Sequence, residues 1–470
     1  MLLNENDGRV LQEECAGRVH TRQDVALTDH QGRDYSHIQD TIQQTAHLPA
    51  PLRNPILTSL SHQADPASSR YGWVIVIALS VTCTISFGIL YYAFTVFIEP
   101  MQADLGWSKA EITGAYSLAT LISGLVAAAI GRWIDNVGVR RLMTLGSIAA
   151  TLLTLMWSSV ISIPVFYLIW IGLGFAISAV FYEPAFALIF RWFTSRRSRP
   201  LTVLTFIAGF ASVIFIPLSG TLVESLGWRS ALVVLTLILA VTIPVHAFLL
   251  RDAVPESERS QIGAAPARKL PELEVHKRRD FWWLTIGFTL SMFVVSGMSV
   301  HLVPYLIGRG YAPAVAAGFG GAIGLVALPG RLIFTPLGAR ISRHVIAAML
   351  FALQAIGLLA LNLFGGDAGV WIFIVLYGAG FGAITPARAQ LVAETFGAEN
   401  YGTVSGRMTQ IGALVRAAAP VAISVIFGIF SSYTFGIYLL AAVTLIGAFT
   451  ILRAGQAGNR SEARVSSASA

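Results

Sequence analysis

Charge is the scarcest property of this 470-residue chain: Asp, Glu, Lys and Arg make up only 12% of it, about half the share of an ordinary water-soluble domain. With 55% apolar residues, it has far more hydrophobic surface than a soluble core of this length can hide, so lipid is the expected solvent for much of it. Cysteine is nearly absent. Cys15 lies in a polar stretch and Cys83 in an apolar one, which gives neither a disulfide framework nor a metal-ligand spacing. The sequence has no histidine cluster, no serine–histidine–aspartate arrangement and no glycine-rich phosphate loop, so enzyme chemistry, a bound cofactor and ATP drive are not expected. The net charge of +7 does not point to nucleic acid either, because the bases sit in short loops between apolar runs.

What fills the chain instead is a series of apolar runs. Residues 1–70 are polar, with scattered prolines and no hydrophobic period, and read as a disordered tail; Asn4, Glu5 and Asp7 follow the first residues where a signal peptide needs bases and an apolar core. Twelve runs follow, from 73–98 to 433–452, each long enough for a spanning helix. The expected fold is an all-α membrane protein of twelve transmembrane helices in two pseudo-symmetric six-helix bundles, residues 71–250 and 281–453. A charged stretch, 251–280, links them, and 454–470 forms a second tail.

The charges between the runs set orientation. On one side the loops supply only Lys109, Arg229 and Arg309. On the other lie Arg132, Arg140, Arg141, Arg191, Arg196, Arg197 and Arg199, seven bases between Arg251 and Arg279, and Arg340 and Arg343. Cytoplasmic loops keep an excess of Lys and Arg, so both termini and the linker are expected inside, in a plasma (inner) membrane.

The loop GRWIDNVGVRR, from Gly131 to Arg141, joins the second and third runs. Its pattern of Gly131, Asp135, Gly138, Arg140 and Arg141 resembles the loop signature of the major facilitator superfamily, although Asn136 and Val139 stand where that family usually has bases. The resemblance implies two rocking halves with a central site. It also implies a conformational latch in which Asp135, helped by Arg191, meets the start of the eleventh helix. In the related loop of the second half, GARISRH from Gly338 to His344, Ser342 occupies the place of Asp135, so a one-sided latch is expected.

An ionisable side chain inside the membrane is costly and marks a pathway, a partner or an end that reaches the interface. Arg416, near the centre of the eleventh run, is too deep to snorkel and is read as an anion ligand. Arg331, roughly 9 Å from the end of the eighth run, is a second one. Arg388, near the end of the tenth run, is expected to reach the headgroups. Glu183, before Pro184, is either half of a structural pair or the coupling group. Tyr91 and Tyr92 are candidates for the cavity wall, and His301 and Tyr305 for gate or substrate contacts. Basic residues in the eighth and eleventh helices together, with the segment Ser86–Ile112, resemble the oxalate and formate exchanger branch; the eighth-helix arginine alone also resembles monocarboxylate transporters. That implies a carboxylate held by guanidinium groups. Ala327 stands where monocarboxylate transporters carry an acid, and their first-helix lysine is missing, so their mode of proton coupling is not implied.

The sequence therefore reads as a secondary transporter of a small organic anion, a mono- or dicarboxylate, working as a monomer with a proton or an exchanged anion as partner. An exporter of drugs or neutral metabolites, or a sensor that keeps the fold without transport, are the other readings.

Overall fold

The computed structural model describes residues 68–193, 197–252, 272–337 and 341–468. The expected tail before Ser68, Arg196, most of the linker and the Gly338–Arg340 part of the second-half loop lie outside the described residues.

Among the described residues, eleven helices are long and apolar enough to cross a membrane. They are α1 (Arg70–Leu105), α2 (Lys109–Asn136), α3 (Val139–Ser158), α4 (Ile163–Trp192), α5 (Ser198–Leu226), α6 (Trp228–Leu249), α7 (Arg279–Gly308), α9 (Arg343–Leu363), α10 (Gly366–Phe396), α11 (Ala398–Phe430) and α12 (Thr434–Gln456). Between α7 and α9 lies α8 (Pro313–Leu337), whose apolar stretch Gly318–Phe334 is shorter. Among the described residues there is no strand. Helix satisfies every interior backbone group within one segment, which lipid demands. The last helix runs on through polar residues to Ala468, so the expected tail continues α12 rather than breaking from it.

Local signals set the ends. Gly106 stops α1 in the left-handed region, φ 70°. Ser108 and Glu111 then start α2 with reciprocal bonds, the Glu111 N–H to Ser108 Oγ at 3.2 Å and the Ser108 N–H to Glu111 Oε2 at 2.8 Å.

The first-half helices are interrupted where the sequence reads as continuous. α1 contains a π turn at Gly88–Tyr92 and α6 another at Val245–Leu249. α4 is broken at Phe181, whose extended backbone (φ −85°, ψ −157°) caps Ile163–Val180 and precedes Tyr182–Trp192. α5 pauses at Gly209 and Phe210. In the second half α7, α9 and α10 are unbroken.

The apolar core shows which end is closed. One cluster runs from the first half, around Trp157, Trp170 and Phe166, into the second at Phe396, Tyr401, Val404 and Met408. Phe190 of α4 and Tyr401 of α11 meet edge to face at 4.9 Å. A second cluster, with Val294, Met298, Leu302 and Ile423, belongs to the second half alone. The halves thus share a core at the end where Asp135 lies and keep separate cores towards the other.

Candidate functional site

Two arginines of the second half reach across to the first. Arg416, in the middle of α11, donates to the main-chain carbonyl of Thr120 in α2 at 2.9 Å. Arg331 of α8 donates through Nε to Gly382 O of α10 at 3.1 Å, and through a terminal nitrogen to Thr205 O of α5. Gly209 makes room for it, because a Cβ there would strike the Arg331 guanidinium. Neither arginine has a carboxylate within ion-pair distance among the described residues, whose ion pairs use other bases. Carbonyl dipoles meet part of the hydrogen-bonding need of these two cations and leave their net charge uncancelled.

A wall of rings runs between them. The π turn of α1 presents Tyr91 and Tyr92, ring centroids 5.0 Å apart. Tyr91 lies 5.8 Å from Tyr116 of α2, which is near enough to Arg416 to feel its charge. On the other side Phe87 packs on Tyr182 at 4.6 Å, and Tyr182 is near enough to Arg331 to feel its charge. Tyr92 is also close enough to sense Arg331. Cations on one half and ring edges and hydroxyls on the other form a surface suited to a planar anion. Tyr116, Tyr182 and Phe87 were not legible as site residues, since aromatic residues at helical spacing look like packing.

Towards the Asp135 end the halves are clamped. Glu183, one residue past the start of the lower piece of α4, accepts from Arg388 Nη1 of α10 at 2.8 Å, Tyr401 Oη at 2.9 Å and Ser405 Oγ at 2.7 Å. Arg388 also donates to Ser405 O at 3.1 Å and Thr409 Oγ1 at 2.9 Å. The expectation that Arg388 reaches the headgroups is therefore overturned: an interior carboxylate is nearer than the interface. Glu183 is thus paired with an arginine of the other half in this structure.

Asp135 meets the start of α11 as the loop resemblance implies. Its carboxylate accepts from Gly402 N at 3.1 Å and Thr403 N at 2.6 Å. Such a carboxylate at a helix amino terminus contributes roughly 0.3–1 kcal/mol when exposed and up to about 2 when partly buried. Gly131 and Gly402 allow the approach, because a Cβ on Gly131 would strike Gly402 O and one on Gly402 would come within 2.6 Å of Gly131 O. Arg191 lies 4.0 Å from Asp135 and 4.0 Å from Asp252, and donates to Ile134 O at 2.5 Å. Asp252, missed in the sequence because it opens the linker, accepts from Val139 N at 2.5 Å and Arg140 N at 3.1 Å. Gly138, at φ 113°, is the turn that lets it in. Arg140 spends its Nε on Ala247 O at 2.7 Å, while Arg141 is exposed.

On the opposite side of this end a different set stands in. Ser198 of α5 donates to Gln390 of α10 at 3.0 Å, and Arg343 of α9 binds Gln390 at 2.5 Å and Glu394 at 2.7 Å. Ser342 carries no acid, but α10 supplies one. Among the described residues, every hydrogen bond between halves lies at this end or in the middle, the latter including Gln410 Nε2 to Leu125 O at 2.7 Å.

His301 and Tyr305 take their hydrogen-bond partners within the second half. His301 bonds Pro420 O at 2.9 Å and packs on Tyr433, and the Tyr305 hydroxyl donates to Leu361 O at 3.0 Å. Both point among helices of the second half, where Arg309 also donates to the Tyr305 oxygen at 2.9 Å.

Comparison with known proteins agrees with this architecture. The sequence profile described as Major Facilitator Superfamily matches residues 80–420. The chain is 25% identical over 341 residues to monocarboxylate transporter 13 of Rattus norvegicus, covering 72% of this chain and 78% of that one. It is 24% identical over 241 residues to the oxalate:formate antiporter of Oxalobacter formigenes, covering 51% and 57%. The solved structure of the human organic anion transporter MFSD10 superposes with a TM-score of 0.63 at 17% identity, covering 82% of this chain and 100% of that one. Twelve helices in two halves, clamped at one end around interior cations, are the frame of a membrane transporter. The chain belongs to the Major Facilitator Superfamily, and is a multi-pass integral membrane protein.

Proposed function

We propose that the protein is a secondary transporter that carries a small organic anion, a mono- or dicarboxylate, by alternating access. The observation that carries this reading is the placement of Arg331 and Arg416: two interior guanidinium groups bound to main-chain carbonyls rather than acids, facing a wall of tyrosines. A carboxylate offers what the carbonyls lack, a full negative charge in bidentate geometry. The relatives named for monocarboxylate and for oxalate and formate support the same class of substrate.

Both arginines and all the rings come from one chain, so a monomer holds a whole site. The halves 71–250 and 281–453 move against each other about it, joined by 251–280. The excess of Lys and Arg puts the Asp135 end and both termini in the cytoplasm of a cell whose plasma membrane holds the protein. The shared core, the Glu183–Arg388 pair and the Asp135 contact then make a state closed to the cytoplasm. Opening there requires all three to part, and an anion shifts the balance only by binding one state better. With Glu183 committed to the clamp, the driving partner is an exchanged anion or a proton taken up when that clamp opens.

Uptake of labelled formate, lactate and oxalate into proteoliposomes, with and without internal anion, tests the reading. Saturable uptake of at least one is expected. Flux of hydrophobic cations or neutral drugs in its place would move the assignment to an exporter, and no flux of any kind would favour a sensor.

A further inference from the structure

A groove of about 540 Å³ opens on the outer surface of the bundle between α1 and the end of α6, away from the arginine site. Val74, Ile77 and Val81 form one side, spaced three to four residues apart on a single exposed stripe of α1. Val245 and Leu249, four apart in the π turn of α6, form the other. Arg70 lies at the mouth with Trp73 beside it. From Arg70 to Val81 the stripe rises roughly 17 Å, close to half the thickness of a bilayer's hydrocarbon core.

The mouth is basic beyond Arg70. Arg251 stacks over the Tyr71 ring at 4.1 Å, and the Tyr71 hydroxyl donates to Leu249 O at 3.1 Å. Arg140 binds Ala247 O in the same π turn. Asp252, the acid next to Arg251 in the chain, is occupied by two N–H groups of α3 and lies 4.0 Å from Arg191. The carbonyls of the turn thus draw Tyr71 and Arg140 to the edge of an apolar slot, and Tyr71 in turn carries Arg251. That places positive charge where a phospholipid phosphate sits when its chain lies in the slot.

We propose that this groove binds one anionic phospholipid, with an acyl chain along Val74, Ile77 and Val81 and the phosphate at Arg70 and Arg251. A zwitterionic lipid fits the slot equally well, so the preference for negative charge comes from the arginines. It is worth about fivefold for each base that reaches the headgroup.

The test is native mass spectrometry of the full chain released from detergent micelles doped equally with phosphatidylglycerol and phosphatidylcholine, scoring the last lipid lost as collision energy rises. Wild type should retain phosphatidylglycerol about fivefold or more over phosphatidylcholine. Arg70→Gln should lower that ratio about fivefold, Arg70→Lys should keep most of it, and Ile77→Trp, which fills the slot, should cut retention of both lipids. Glycerol phosphate added without lipid should not compete. Equal retention by wild type, an unchanged ratio in Arg70→Gln, unchanged retention in Ile77→Trp, or full competition by glycerol phosphate would each overturn the proposal. If Arg70→Gln does not fold, Arg70→Lys and Ile77→Trp still decide it.

Discussion

Glu183 of α4 and Arg388 of α10 are ion-paired at 2.8 Å across the two halves of the molecule, with the remaining oxygen of the acid held by Tyr401 and Ser405. Because nearly every polar atom of the pair is used, removing one partner strands the other. Glu183→Gln is expected to destabilise the purified protein by about 3–5 kcal/mol, and Glu183→Met with Arg388→Met to recover most of that. Thermal unfolding in detergent is the measurement. A Gln variant that melts like wild type and loses only the pH dependence of transport would make Glu183 a proton carrier instead.

Arg331→Gln and Arg416→Gln should each weaken anion binding by about 10- to 100-fold, the worth of a hydrogen bond to a charged group. Neither guanidinium is paired with an acid, so the melting temperature should change little. Titration of the purified protein with oxalate and formate separates the two effects. Wild-type affinity in both variants would remove the anion assignment, and a large fall in stability would make these arginines part of the scaffold.

At the closed end, Asp135→Asn loses the charge that meets Gly402 and Thr403, while Gly402→Ala pushes a methyl group towards Gly131 O. Both changes should favour the state open at this end. Cysteines placed along the cavity should label faster from the cytoplasm and slower from outside, with ligand affinity in detergent nearly preserved. Poor expression with an unchanged labelling ratio would reduce Asp135 to a turn former. The Ser198–Gln390–Arg343 set on the other side should limit the effect, so the shift is expected to be partial.

Orientation has its own test. Ala110→Cys, beside Lys109, should react with an impermeant thiol reagent in intact cells, and Arg141→Cys should react only after the membrane is opened. The reverse pattern would invert every statement about sides.

Twelve apolar runs were legible because lipid imposes length and apolarity on each one, and Asp135 because its loop is charged between two such runs. Arg416 stood out as a cation too deep to snorkel, and Arg331 as one roughly 9 Å from the end of its run. Direction around each helix was not legible: α7 is apolar on nearly every side, so no stripe showed that His301 turns towards Pro420. The break at Phe181 carries no glycine, and its proline lies three residues on, so α4 read as one helix. Arg388 was misread because its partner is 205 residues earlier in the chain.

That separation also bears on how the protein is made. Glu183 enters the membrane long before Arg388, Tyr401 and Ser405 exist, and at about 5–20 residues per second the wait is on the order of ten to forty seconds. During that interval the lower piece of α4 carries an acid with no interhelical partner, set off from the upper piece by the extended residue Phe181. The first half is thus unfinished when it leaves the ribosome, and the lower piece of α4 is completed by the second. Expressed alone, residues 1–252 should accumulate poorly and improve with Glu183→Gln, the reverse of what that substitution does to the whole chain.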